Sequence, residues 1–230
     1  MNNWVFVSLV TAHIIGDFYL QSDWYCKHKK GKGLKSWFLY VHSVIIGAIS
    51  WALIPIVDFW SYALLISCLH LAIDVIKIYG REGLWSFVMD QLAHLGVIAI
   101  VTYLFHPSQQ LPVQLMCFSD LFSGPWLMVA ILTGMKPVNI LIKLVLEKYK
   151  VGETQACNEM KNAGALIGNL ERLLTILFVV MGQYEAIGFI IAAKSLLRFK
   201  DTDTAKTEYV LAGTFLSFGI ALLCGLLAKL

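Results

Sequence analysis

Charge is scarce in this chain. Asp, Glu, Lys and Arg make up 14% of its 230 residues, where a soluble domain carries about 25%. Hydrophobic residues make up 58% and the mean hydropathy is +0.71. That balance excludes an ordinary soluble domain and implies an all-α, polytopic transmembrane helix bundle with room for seven to eight spans. Cysteine is sparse as well. Cys26, Cys68, Cys117, Cys157 and Cys224 lie far apart, odd in number and without metal-type spacing, which argues against a disulfide framework. A basic leader is missing: no Lys or Arg precedes the first apolar run, and that run contains His13 and Asp17. It therefore reads as a first span, not as a cleavable signal peptide. The net charge of +3 points to no nucleic-acid partner, because the basic residues are distributed by topology.

Apolar runs place helices at 4–21, 36–57, 61–79, 84–104, 124–146, 162–182, 186–199 and 208–228. The run at 186–199 is short for a full crossing. Lys136-Pro137 interrupts the run at 124–146; proline lacks a backbone donor, so this span is expected to be broken. The chain thus divides into a four-helix half over 1–106, an extracytoplasmic loop or interfacial helix over 107–122, and a second helical half over 123–230. Fifteen of the eighteen Lys and Arg residues flank odd-numbered connections, led by Lys27, Lys29, Lys30, Lys32 and Lys35 in the first. By the positive-inside rule those connections are cytoplasmic and the N-terminus lies outside.

Three pairs of ionisable residues interrupt the apolar runs of the first half: His13/Asp17, His70/Asp74 and Asp90/His94. Positions i and i+4 share a helix face, so each pair offers an imidazole and a carboxylate together. Ionisable side chains are costly in hydrocarbon and usually face a bundle interior. The fourth helix runs opposite to the first and third, and its pair is written in the opposite order. The three carboxylates therefore fall at one depth, roughly 6–9 Å from the cytoplasmic boundary, and the histidines at roughly 12–15 Å. His42 on the second helix falls beside them. Seven candidate ligands result: His13, Asp17, His42, His70, Asp74, Asp90 and His94. Neutral imidazole with carboxylate suits one or two ions of zinc, manganese or iron. Copper fits less well, since no Cys or Met groups with the histidines. An aspartate not fully used in coordination would serve as general base, which makes Asp17, Asp74 and Asp90 the candidate catalytic residues. The competing readings are a proton relay and plain interhelical hydrogen bonding. Lys77 continues the face of His70/Asp74 and would steer an anionic substrate, or else simply flank the membrane.

In the second half, Gly164 and Gly168 have the small-xxx-small spacing of close helix contacts. Glu171 and Arg172 follow; being adjacent, they point about 100° apart and cannot simply pair. With Lys194 and Arg198 they read either as an interhelical ion network or as a pocket for a phosphate or carboxylate head group. A buried Arg172 is expected to have an acidic or anionic partner: Glu185, Glu208, or Glu171 of a second subunit packed through the glycine face.

The motifs His13-x-x-Gly16-Asp17-Phe-x-Leu-Gln21, His70-x-x-x-Asp74-x-x-Lys77 and Asp90-Gln91-x-x-His94 resemble those of a bacterial inner-membrane family catalogued as a domain of unknown function. Gly168-x-Leu-Glu171-Arg172, Ala-Ala-Lys194-Ser-x-x-Arg198-Phe and Glu208-Tyr-x-Leu-x-Gly213-Thr look like its C-terminal region. The resemblance implies the bacterial inner membrane and supports the site residues, but names no reaction. A looser similarity, in the paired intramembrane His/Asp motifs alone, is to membrane-bound proteins described as metal-dependent hydrolases. The expectation is metal-assisted hydrolysis of a phosphorylated or ester-linked lipid-like substrate at the cytoplasmic face, with membrane lipids, an anionic head group or small molecule, and a second copy of the chain as partners. The alternatives are a proton- or metal-coupled transporter, suggested by the broken and short helices, and a non-catalytic scaffold.

Overall fold

The computed structural model describes residues 3–105, 125–149, 158–198 and 204–229; the side chains of Asp23, Pro125, 158–163, Leu197, Arg198 and 204–209 are outside that description. The expected loop or interfacial helix over 107–122 lies outside the described residues, among which no strand occurs. The chain forms two compact units, Met1–Pro125 and Trp126–Leu230.

The first unit begins with α1 (Asn3–Ile14), which continues as a π-helical stretch over Ile15–Leu20. Helix α2 (Asp23–Lys32) follows where a loop is expected from sequence. Ser22 caps it, its hydroxyl accepting from the Tyr25 N–H, and Gly33, at φ +55, closes it in a conformation that other residues avoid. Helix α3 (Trp37–Leu53) leaves at 110° to the α2 segment and stops ahead of Pro55, four residues short of the expected end. Helices α4 (Trp60–Tyr79) and α5 (Leu84–Leu104) complete the unit. Val5, Leu9, Leu39, Ile46, Ile66 and Val101 form its buried core. Exposed Trp37, Tyr79 and Trp85 stand at one end and Trp51, Trp60 and Tyr103 at the other, as interfacial aromatic belts do. Trp60 and Tyr79 are about 28 Å apart along the helix, close to the hydrocarbon thickness of a bilayer.

Helices α3 and α4 approach closely at Gly47. A Cβ there would lie 2.9 Å from the Ala63 carbonyl oxygen, which cannot move without its helix. Gly47→Ala is therefore expected to cost about 1–3 kcal/mol, read as a lower thermal unfolding temperature. An unchanged temperature would place the contact elsewhere.

The second unit contains α6 (Pro125–Gly134), α7 (Lys136–Lys148), α8 (Asn158–Met181), α9 (Tyr184–Arg198) and α10 (Thr204–Leu227). The expected break falls at Met135, with a bend of 42°. Ile176, Ala221 and Cys224 anchor the contact between α8 and α10. The close glycine is Gly225, packed on Val179; around Gly164 there is open space, and Gly168 faces only the Arg172 side chain. Among the described residues, no helix of this unit packs on Gly164 or Gly168.

Among the described residues, five helices are long and apolar enough to cross a membrane: Asn3–Leu20, Val57–Tyr79, Leu84–Leu104, Gly164–Met181 and Val210–Leu227. The number rises to seven if each bent pair, α2 with α3 and α6 with α7, is one span. Helix α9, with 15 residues, is not among them. The protein is an all-α bundle with the composition of a multi-pass membrane protein.

Candidate metal centre

Four helices of the first unit turn their polar residues towards one another. His13 comes from α1, Asp17 from its π-helical continuation, His42 from α3, His70 and Asp74 from α4, and Asp90 and His94 from α5. No side chain among the seven is more than 9% exposed, so the apolar runs have buried their ionisable residues together. They fall into three overlapping groups: His13, His70 and His94; Asp17, His42 and His70; Asp74, Asp90 and His94. Within each group one ligand atom per residue lies within 4.8 Å of the others. The structure thus brings all seven expected residues into one cluster.

The i,i+4 pairs are nevertheless not the tightest contacts. His13 Nδ1 stands 3.7 Å from Asp17 Oδ2, and His94 Nδ1 the same distance from Asp90 Oδ1. The shorter distances run between helices. His42 Nε2 lies 3.1 Å from both Asp17 Oδ1 and His70 Nε2, and His70 Nε2 lies 3.4 Å from that same Asp17 oxygen. The π-helical stretch changes the register at Asp17, as such bulges do at many functional sites. Ligands of a tetrahedral ion with bonds of about 2.0–2.1 Å stand about 3.3–3.4 Å apart. The Asp17–His42–His70 triangle has the dimensions of one face of such a shell.

Around this triangle the hydrogen bonds orient the remaining imidazoles. His94 Nδ1 donates to the Asp90 backbone carbonyl at 2.8 Å, which leaves Nε2 with its lone pair. Among the described residues, His94 Nε2 and Asp90 Oδ1 are the buried side-chain polar atoms without a hydrogen-bond partner. His13 Nε2 donates to Gln91 Oε1 at 3.2 Å, and Gln91 Nε2 donates to Asp90 Oδ2 at 3.0 Å. Carbonyl and carboxamide partners of this kind fix the tautomer and rotation of a ligating histidine.

Two lysines approach the carboxylates. Lys29 Nζ lies 2.6 Å from Asp74 Oδ2, and Lys77 Nζ 2.6 Å from Asp90 Oδ2. Lys77, expected to meet a substrate, is thus engaged with a candidate ligand. Sequence reasoning missed Lys29 and gave Gln91 no role. On the other side of the histidines lies a cavity of about 10 Å³, lined by Leu9, Ile46, Ser50, Ile66 and Ile98 together with His13, His70 and His94. Leu9, Ile66 and Ile98 are each one helical turn from a histidine, away from its aspartate. The order along the unit is therefore lysine, carboxylate, imidazole, apolar cavity, which matches the layering expected from sequence.

The second-unit residues divide as their adjacency requires. Glu171 accepts from Lys194 at 2.5 Å, and the Lys194 ammonium also lies 5.9 Å from the centre of the Phe218 ring. Arg172 is buried at 2% exposure. Its guanidinium donates to the Gly134 carbonyl, to Asn139 Oδ1, to Ser217 Oγ at 2.8 Å and to Asn169 Oδ1 at 2.6 Å. The helix break explains the first acceptor. Gly134 ends α6, so its carbonyl has no partner within that helix, and Pro137, three residues on, has no N–H to offer it. Among the described residues its partners are thus neutral oxygens: Glu171 of the same chain is taken by Lys194, and Glu185 is exposed. The side chains of Arg198 and Glu208 lie outside the described residues.

Residues 5–121 match a family described as "Protein of unknown function (DUF3307)". The match covers half of the chain, falls inside the first unit and takes in all seven clustered residues. No curated protein and no solved structure matches the chain.

Proposed function

We propose that this chain, which belongs to the DUF3307 family, is a metal-dependent hydrolase of the bacterial inner membrane, with its N-terminus outside and its site in the cytoplasmic half. The observation that carries the reading is the Asp17–His42–His70 triangle, whose 3.1–3.4 Å sides match the spacing of ligands around one ion. Neutral imidazole and carboxylate suit zinc, manganese or iron. A divalent ion there would supply Lewis acidity and activate a water nucleophile near neutral pH. The chain's own contributions follow from the geometry. His94 offers an oriented Nε2, and Gln91 holds the His13 ring by its Nε2. Asp90 Oδ1 is a carboxylate oxygen able to take a proton.

The cavity beside the histidines has room for about one water molecule. A phosphorylated or ester-linked lipid-like substrate must therefore bring its scissile bond from the carboxylate side, where Lys77 is 41% exposed. Arg172 and Lys194 are fully engaged and better account for the stability of their own unit than for head-group binding. A second reading, ion transport, draws on the small cavity beside the histidines and on the break between α6 and α7, since discontinuous helices form ion and substrate sites in transporters. The test uses protein in lipid nanodiscs loaded with Zn²⁺, Mn²⁺ or Fe²⁺ and offered phosphorylated and ester-linked lipids. Product release that Asp90→Asn abolishes while metal is retained is the expected result. Absent hydrolysis, with metal or proton-gradient-driven accumulation in sealed vesicles, would replace this reading by transport. A scaffold would show neither and would tolerate Asp74→Asn.

A further inference from the structure

Lys29 is the clustered residue that the metal reading leaves unexplained. The other lysines of its connection, Lys27, Lys30, Lys32 and Lys35, are exposed, whereas Lys29 is 6% exposed. It enters the site from α2, which belongs to none of the four helices that supply ligands. Its ammonium lies 2.6 Å from Asp74, a member of one ligand group with Asp90 and His94. An ammonium this close to a carboxylate occupies the ground a cation would take. Two like charges about 4 Å apart in a poorly screened interior repel strongly.

Lys77 makes a matching contact with Asp90, so the three carboxylates face two ammonium groups. The two lysines differ in how they can leave. Lys77 is 41% exposed and can swing outwards on its own stem. Lys29 is enclosed and cannot leave unless α2 moves. The mountings of α2 permit that. It lies between extended Ser22 and left-handed Gly33, and it is tied down by the exposed Lys30–Glu82 ion pair, by His28 Nδ1 to Ser36 Oγ at 2.9 Å, and by the rings of Trp24, Tyr25 and His28 packed on Phe38 of α3. Lys30 also holds the Glu82 carboxyl below its usual range, through the hydrogen bond and charge it supplies.

We infer that Lys29 is a tethered counter-cation that competes with a divalent metal ion for Asp74, and that α2 is a lid which lifts when the ion is bound. The inference rests on the metal-site reading above and adds the residue that sets its affinity. A conventional supporting partner behaves oppositely: removing a group that orients a ligand typically weakens binding about 10–100-fold.

The experiment titrates full-length protein in nanodiscs with Zn²⁺ against a competing chelator dye, for wild type, Lys29→Met, Lys29→Arg and Lys77→Met. Lys29→Met should bind at least about tenfold more tightly than wild type, while Lys29→Arg should not. Independently, amine-reactive labelling of wild type, read at Lys29 by mass spectrometry, should rise on addition of saturating Zn²⁺. Equal or weaker binding by folded Lys29→Met overturns the inference. Should that variant not fold, Lys29 remaining unlabelled with Zn²⁺ bound overturns it. Zn²⁺ binding by wild type with either of those negative results leaves the metal site standing and removes only the lid. Failure of wild type and all variants to bind Zn²⁺ removes both.

Discussion

His70→Ala is expected to lower Zn²⁺ affinity by about a hundredfold or more, read by chelator competition. His70 belongs to two of the three ligand groups, and its Nε2 forms one corner of the Asp17–His42–His70 triangle. Structural zinc sites with about four ligands contribute roughly 10–16 kcal/mol, so the loss of one ligand removes a large share. The fold should survive, because His42 still contacts Asp17 and the neighbouring core is apolar. A variant that folds and binds Zn²⁺ as wild type does would show that His70 is no ligand. Ser50→Ala is the matched control: Ser50 lines the cavity and donates to its own helix at Ile46, so metal affinity should not move.

Arg172→Leu is expected to destabilise the protein by about 3–5 kcal/mol, without any anion being involved. The guanidinium gathers the Gly134 carbonyl, Asn139, Asn169 and Ser217, and so joins both sides of the α6–α7 break to α8 and α10. A leucine leaves the Gly134 oxygen buried without its donor. Arg172→Lys should rescue little, because an ammonium on a flexible stem cannot replace a planar fork with donors on three nitrogens. Thermal unfolding in detergent distinguishes the alternatives. An arginine kept for a bound anion would leave stability nearly unchanged when replaced, and would make it depend on added phosphate in the wild type.

The helices, the break at Lys136-Pro137 and the His/Asp cluster were legible in the sequence for one reason: a membrane span leaves little room for polar residues, so those present carry information. Reversal of the pair order on α5 brought the carboxylates into one layer. What sequence could not show was register between helices. The π-helical stretch at Asp17 has no composition signature, and it turns an expected His13/Asp17 pincer into a contact with His42 and His70. Lys29 was hidden among five lysines of one connection, because only the fold of α2 selects which of them points inwards. The Gly134 carbonyl as an acceptor for Arg172 was not legible, because sequence shows side chains, whereas the acceptor freed by the helix break is a backbone carbonyl. The helical nature of 23–32 was masked by the same lysine density, with Ser22 as its one local signal.

The central claim is that the first unit holds a metal ion, and the direct measurement is elemental analysis of the purified full-length protein, before and after dialysis against Zn²⁺, Mn²⁺ or Fe²⁺. His70 and His94 are each shared between two of the three ligand groups, so the groups cannot all be filled separately and about one divalent ion per chain is expected. That ion should be absent from a folded Asp17→Asn, His42→Ala double variant. Protein that is purified without metal, and that takes up none of the three ions although folded, would contradict the account.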